Sequence, residues 1–165
     1  MRHPEIIIVI ARANNGVVGS QGERPWHIPA DLRRFKRLTM DRPMIMGRRT
    51  FDSLPALLDG RRHIVLTRAP DWAEDGAEVA HSVADALRMA NAPHVTVIGG
   101  AEIYRLFLPL ADRIELTEVA LTPDGDARID APDTADWQEI ARDTHEADDK
   151  GRPAFAFVTL VRRAK

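Results

Sequence analysis

Residues 6–10 (Ile-Ile-Ile-Val-Ile) and 95–98 (Val-Thr-Val-Ile) are β-branched at every position and almost wholly apolar. A strand with one wet face alternates apolar and polar side chains, whereas a run like these belongs to a strand covered on both faces. Such strands need helices layered above and below them. Helical patterns do alternate with short β-branched runs along this chain, which makes it α/β. The strands are expected at 5–11, 43–46, 63–67, 78–80, 95–98, 113–119 and 154–161, with a further one near 137–145 pairing with the last across the polar turn 147–153. Helices are expected at 29–39, 50–54, 83–91 and 101–108, the third capped by Ser82 with Asp85 acting like a capping-box acid.

With 165 residues, the chain is close to the roughly 150 of one domain, and no repeat, low-complexity tract or long linker divides it. A single domain over 1–165 is the expectation. Hydrophobic residues make up 44% and charged residues 29%, as in ordinary globular proteins. A net charge of −2 gives no overall basic field to attract nucleic acid or anionic membrane, so an anionic ligand has to be gathered by local arginines. The absence of cysteine excludes disulfides, thiolate zinc sites and cysteine nucleophiles. The six histidines form no HxxxH or HExxH pair, and no metal site is expected. The longest apolar run, 6–11, is too short to span a bilayer and lies between Glu5 and Arg12. A cytoplasmic protein is the default, and with no exposed apolar heptad, a monomer.

Pro29 suits the first position of a helix, where its missing N–H costs nothing. From there, at about 100° per residue, Leu32, Phe35, Leu38 and Thr39 form one stripe, while Arg33, Lys36 and Arg37 face water and Arg34 lies near the border. Asp31 falls inside the apolar stripe. It either complements the helix dipole in the first turn or is a carboxylate in an apolar cleft. There it can bond a polar heterocycle, and burial brings the neutral form within reach for proton delivery.

Two strand–glycine–helix junctions stand out. Met46 leads to Gly47, then Arg48, Arg49 and Thr50; Ile98 leads to Gly99 and Gly100, then Ala101. Glycine lets backbone approach a ligand closely, and arginine suits phosphate. Neither junction contains GxGxxG or a P-loop, so each is equally a strand simply ending before a helix. With Arg68, they are compatible with a phosphate-bearing ligand. Between the first strand and first helix, 12–27 is unusually long, holds Gly16, Gly19 and Gly22, and is either a passive surface loop or a lid anchored at Trp26. Arg61 and Arg62 follow Gly60 in a turn, as a surface charge pair or as partners of a ligand carboxylate.

The run Arg24-Pro25-Trp26-His27-Ile28-Pro29-Ala30-Asp31-Leu32 resembles the signature of bacterial dihydrofolate reductases. Phe35-Lys36, Thr39, Ile45-Met46-Gly47-Arg48, Thr50, Gly60-Arg61, Ile98-Gly99-Gly100, Ile103-Tyr104, Leu116-Thr117 and Gly125-Asp126 follow in the family's order, over essentially the whole chain. The resemblance implies an eight-stranded, mainly parallel sheet with an antiparallel C-terminal edge strand and four flanking helices. It implies reduction of dihydrofolate with NADPH as cofactor, and antifolates such as methotrexate or trimethoprim as ligands. Asp31 then holds the pteridine, assisted by Thr117 through water, with Trp26 as the third catalytic position. Ala11, Leu32, Phe35, Leu54 and Ile98 line the pterin and aminobenzoyl pocket, and Arg61 pairs with the glutamate tail. Ala11, Val18 and Gly19 lie near the nicotinamide. Gly47, Arg48, Arg49, Thr50, Thr67 and Arg68 hold adenosine and phosphates, while Gly99, Gly100, Ala101, Glu102, Ile103 and Tyr104 form the pyrophosphate cradle. Gly99-Gly100 matches a pair joined by a cis peptide. Four positions depart from the common pattern: Arg24 in the lid, His27, Arg49 and Phe51. The alternatives are a reductase of the same fold acting on another pterin or a pyrimidine, as in riboflavin synthesis, and a nucleotide-binding module without turnover.

Overall fold

The computed structural model describes residues 4–19 and 25–164; Gly22 and Arg24 of the long 12–27 stretch lie outside them. Strands β1 (Glu5–Ala13), β3 (Met44–Gly47), β4 (His63–Leu66), β5 (Ala77–Ala80), β6 (His94–Gly99), β7 (Arg113–Val119), β9 (Trp137–His145) and β10 (Phe155–Arg162) form one eight-stranded sheet in the order β5-β4-β3-β6-β1-β7-β10-β9. The five pairings from β5 to β7 are parallel, and β10 is antiparallel to both β7 and β9. The C-terminal strand is thus antiparallel as expected, and β9 lies outside it as the edge. Four helices flank the sheet: α1 (Pro29–Thr39), α2 (Arg48–Ser53), α3 (Val83–Ala90) and α4 (Ala101–Phe107).

The two runs that suggested a covered sheet are its centre. Residues 6–11 of β1 and 95–99 of β6 are all buried. Period-two geometry divides each strand between two cores. Ile6, Ile8, Ile10, Ile45, Ile64, Val95 and Val97 face one core with Phe107 of α4 and Ala86 of α3, whereas Met44, Met46, Val65 and Ile98 face the other, where Phe35 of α1 and Phe51 of α2 pack.

The helix starts follow local chemistry. Pro29 opens α1, and Ser82 Oγ accepts the Asp85 N–H at 3.0 Å to cap α3. Asp85 does not serve as the expected capping-box acid in its side-chain contacts, since its carboxylate pairs with Arg88 at 2.6 Å. Helix α2 begins at Arg48 and ends at Ser53 rather than spanning 50–54, because Gly47 is already extended and Arg48 enters the first turn directly. Arg62 is structural: it grips Glu78 of β5 with two nitrogens (2.8 and 2.7 Å) and reaches the Met89 and Ala90 carbonyls that end α3. A small ribbon, β2 (Val17–Gly19) against β8 (Ala127–Arg128), ties the start of the long 12–27 segment to a distant loop. Among the described residues, no helix is long and apolar enough to cross a membrane.

Candidate active site

The strands β1, β3, β4, β6 and β7 all end on the same side of the sheet, the side on which open α/β sheets bind ligands. A cleft of about 1350 Å³ opens there, more than the roughly 300–1,000 Å³ usual for one small ligand. It has room for two ligands side by side.

The two glycine junctions converge at this cleft. In β6 the pairing with β3 skips Ile98, a bulge immediately before Gly99-Gly100, whose peptide is cis. Gly99 has φ of 124°, and a Cβ there would sit 3.1 Å from the Tyr104 hydroxyl. Gly47, across from it, leaves only 3.0 Å between a Cβ and Ile103. Both positions therefore need glycine to keep backbone bare at the cleft wall. Tyr104 is buried, its hydroxyl 2.8 Å from the Val9 carbonyl and 2.9 Å from that of Ile98. Arg48, Arg49 and Arg68 are exposed at the adjoining wall with Thr50 and Thr67. Arg68 pairs with Glu102 at 2.6 Å, both side chains largely in solvent. A bare backbone turn ringed by three arginines fits the diphosphate of a dinucleotide such as NADPH.

At the other end, Leu32, Phe35, Leu54, Leu58 and Ile98 form an apolar wall. Leu32 is 49% exposed, although it lies on the predicted apolar stripe, because it faces the open cleft and not the sheet. Arg61 reaches the same wall and is held in place: Nε donates to the Asp59 carbonyl at 2.9 Å and Nη1 to Thr39 Oγ1 at 3.2 Å. Thr39 can accept because its own proton goes to the Phe35 carbonyl, 2.8 Å away. Arg61 and Arg62, adjacent in sequence, thus point to different work. Val18 and Ala11 line the cleft between the two ends, beside the ribbon that carries Gly19.

Asp31 and Thr117 do not line the main cleft. They meet in an adjoining recess of about 10 Å³ that shares Ala11 and Phe35 with it. Thr117 Oγ1 donates to Asp31 Oδ1 at 2.6 Å, with Asp31 7% and Thr117 1% exposed. The contact is direct, a charge-assisted bond. Asp31 is buried among side chains, so the helix-dipole explanation is insufficient for it. Trp26 is half-buried, and its indole N–H is buried with no hydrogen-bond partner among the described residues.

Sequence reasoning missed one buried element: Arg34, put at the stripe's border, is 9% exposed and bonded to Glu115 Oε2 at 2.5 Å. The alternation Arg113, Glu115, Thr117 along β7 was the available signal. His81, Ser82 and Val83 also line the cleft, brought beside Thr67 by the β4–β5 pairing. Among the described residues, no cluster of His, Asp or Glu is arranged to hold a metal ion.

The family model described as dihydrofolate reductase matches residues 5–162. The chain is 43% identical over 159 residues to a type 3 dihydrofolate reductase of Salmonella typhimurium, covering 96% of this chain and 98% of that one. It is 41% identical over 160 residues to a dihydrofolate reductase of Neisseria meningitidis, again covering 96% and 98%. A solved dihydrofolate reductase of Enterococcus faecalis, complexed with NADP(H) and RAB-propyl, superposes with a TM-score of 0.89 at 32% identity over 98% of both chains.

Proposed function

Since the chain belongs to the dihydrofolate reductase family, we propose that it reduces 7,8-dihydrofolate to 5,6,7,8-tetrahydrofolate with NADPH. Hydride goes to pterin C6 and a proton to N5, supporting one-carbon metabolism and thymidylate synthesis. The observation that carries the reading is the Asp31–Thr117 pair, buried behind Ala11 and Phe35 at the edge of a two-ligand cleft.

NADPH, when bound, supplies the reducing chemistry, and the protein supplies orientation and electrostatics. Gly47, Gly99 and Gly100 present bare backbone to the pyrophosphate, with Ala101, Glu102, Ile103 and Tyr104 behind them. Arg48, Arg49, Thr50, Thr67 and Arg68 hold the phosphates and adenosine. Ala11, Val18 and Gly19 border the nicotinamide. Leu32, Phe35, Leu54 and Ile98 sandwich the pterin and aminobenzoyl groups. Arg61, oriented by Thr39, pairs with the glutamate tail.

Asp31, held by Thr117, accepts hydrogen bonds from the pteridine and favours protonation of N5. A carboxylate in so dry a recess acts more strongly on a nearby developing charge than one in water. Trp26, whose indole N–H has no partner among the described residues, closes the site beside the pterin and helps exclude water. The proposal extends to a single domain over 1–165 acting as a cytoplasmic monomer, with methotrexate or trimethoprim occupying the dihydrofolate site.

The test follows NADPH oxidation by the purified chain with and without dihydrofolate. Oxidation that depends on dihydrofolate and stops with methotrexate is expected. Oxidation driven instead by a ribosylated pyrimidine, or none with either substrate, overturns the reading.

A further inference from the structure

Residues 54–62 join α2 to β4 and bring Leu54, Leu58 and Arg61 to the end of the cleft assigned above to dihydrofolate. This segment contains no helix or strand, so its shape rests on a few single bonds. The Leu54 N–H returns to the Phe51 carbonyl at 3.2 Å, and the Gly60 carbonyl accepts the Asp41 N–H at 3.2 Å. Between these points the main chain is tied at Leu58, whose N–H donates to His63 Nε2 at 3.0 Å. His63 is the first residue of β4 and is 3% exposed. The strand register sets it beside Met44 of β3 and Ala77 of β5, and its ring meets that of Phe51 edge-on, 6.1 Å between centres. The sheet therefore fixes the imidazole, and the segment hangs from it.

Leu54 and Leu58 pack against the core of Met44, Met46, Val65 and Ile98. Just beyond Leu58, the Asp59 carbonyl accepts Arg61 Nε at 2.9 Å, so the place of Leu58 also bears on the direction of Arg61. We propose that His63 is a positioning residue for the substrate: through the Leu58 N–H it fixes the apolar wall and Arg61, and so sets affinity for the aminobenzoylglutamate end of dihydrofolate. This rests on the reading of the cleft given above. His63 is not itself one of the lining residues and acts through Leu58.

A backbone N–H can donate only to a ring nitrogen that carries no hydrogen, so the imidazole is neutral with its hydrogen on Nδ1. A protonated ring would set donor against donor. The elements around it carry Asp59, Arg61 and Arg62 in its own segment, Arg48, Arg49 and Asp52 on α2, and Glu78 on β5, while β3 carries no charge. Burial, and then the charge of Arg61, hold the ring below its ordinary value of 6.5, and a hydrogen bond to the Arg61 main chain pulls it partly back. The bond to Leu58 is thus intact at neutral pH and is lost in acid, below about pH 6.5.

Two substrates given to the whole chain test this: dihydrofolate, and a 7,8-dihydropterin bearing only a methyl group at C6, which lacks the aminobenzoylglutamate end. His63→Met keeps an apolar side chain and removes the acceptor. Its KM for dihydrofolate should rise about fivefold or more with kcat little changed, while its KM for the methyl pterin stays within about twofold of the wild type. His63→Gln supplies an acceptor that does not titrate, and should keep both KM values near those of the wild type. In the wild type, where no substitution can disturb folding, the ratio of the two KM values should climb as pH falls below about 6.5. In His63→Gln it should stay flat. Protonation of the pterin, common to both substrates, cancels in that ratio. A dihydrofolate KM that His63→Met leaves within about twofold, an equal rise for both substrates, or a wild-type ratio as flat as that of His63→Gln overturns the proposal. No NADPH oxidation with either substrate overturns the reading of the reaction itself, and the role of His63 with it.

Discussion

Replacing Thr117 by valine removes one hydroxyl and nearly nothing else, because the two side chains have almost the same shape. Thr117 is fully enclosed, and its hydroxyl donates to the Asp31 carboxylate at 2.6 Å, inside the usual range for a charge-assisted O–H···O⁻ bond. Hydrogen bonds to charged groups contribute about 1.5–3 kcal/mol net, more than neutral ones, because the acceptor has already lost its water. For a chain of this size each kcal/mol is about 2–4 °C in Tm, so Thr117→Val should melt about 3–12 °C lower. The same loss leaves Asp31 less firmly oriented toward the pteridine, and KM for dihydrofolate should rise about tenfold. Affinity for NADPH, whose proposed site is at the other end of the cleft, should not change. Thermal melts with Asp31→Asn and the double variant complete a cycle that isolates the pair. A Tm within about 1 °C of the wild type, with unchanged KM, would refute the claim that the link orders the site.

Cofactor choice should depend on Arg68: Arg68→Ser is expected to weaken NADPH more than NADH in binding titrations, and equal weakening contradicts a role in reading the 2′-phosphate. Because Glu102 holds Arg68 at 2.6 Å, Glu102→Gln should free the guanidinium and raise the NADPH-to-NADH preference several-fold, as removal of a competing carboxylate would. Acid should cost stability through His63, which is buried and accepts the Leu58 N–H on Nε2 at 3.0 Å. Burial, and then the nearby Arg61, hold its pKa below the ordinary value of 6.5, so the unfolded chain takes up a proton that the fold resists. The contribution is intact above about pH 6.5 and is lost as pH falls below it. Melting His63→Gln and wild type between about pH 7.5 and 5.5 checks this, with a shallower decline expected in the variant.

How much was legible follows from where each signal resides. The central strands announced themselves because burial on both faces selects an unbroken apolar run in place of alternation, which local sequence displays. The glycine junctions were visible for a similar reason, since Gly47 and Gly99 exclude a Cβ at the cleft wall. Pairings that depend on distant partners were not. The ribbon β2–β8 rests on two or three residues, and bonds from Arg12 and Asn15 to the Ile129 and Pro123 carbonyls far along the chain help bring them together. Leu32 and Arg34 exchanged their expected surroundings for one cause: α1 has the sheet on one side and an open cleft on another, and helical periodicity cannot tell these two apart. Arg34 could be buried because Glu115 faces it, a fact of tertiary structure. Asp31 lay between these cases. Its place on the apolar stripe was visible, but its bond to Thr117 needed the β1–β7 register, which sets Ala11 opposite Thr117.

The most direct test of the account is the pH dependence of Asp31→Asn with dihydrofolate and NADPH. If Asp31 is the carboxylate that promotes protonation of N5, the variant should fold and bind NADPH normally. It should lose about a hundredfold or more of its turnover at neutral pH, and recover part of it in acid, where the substrate arrives already protonated. A variant whose turnover and pH profile match those of the wild type would contradict the central claim.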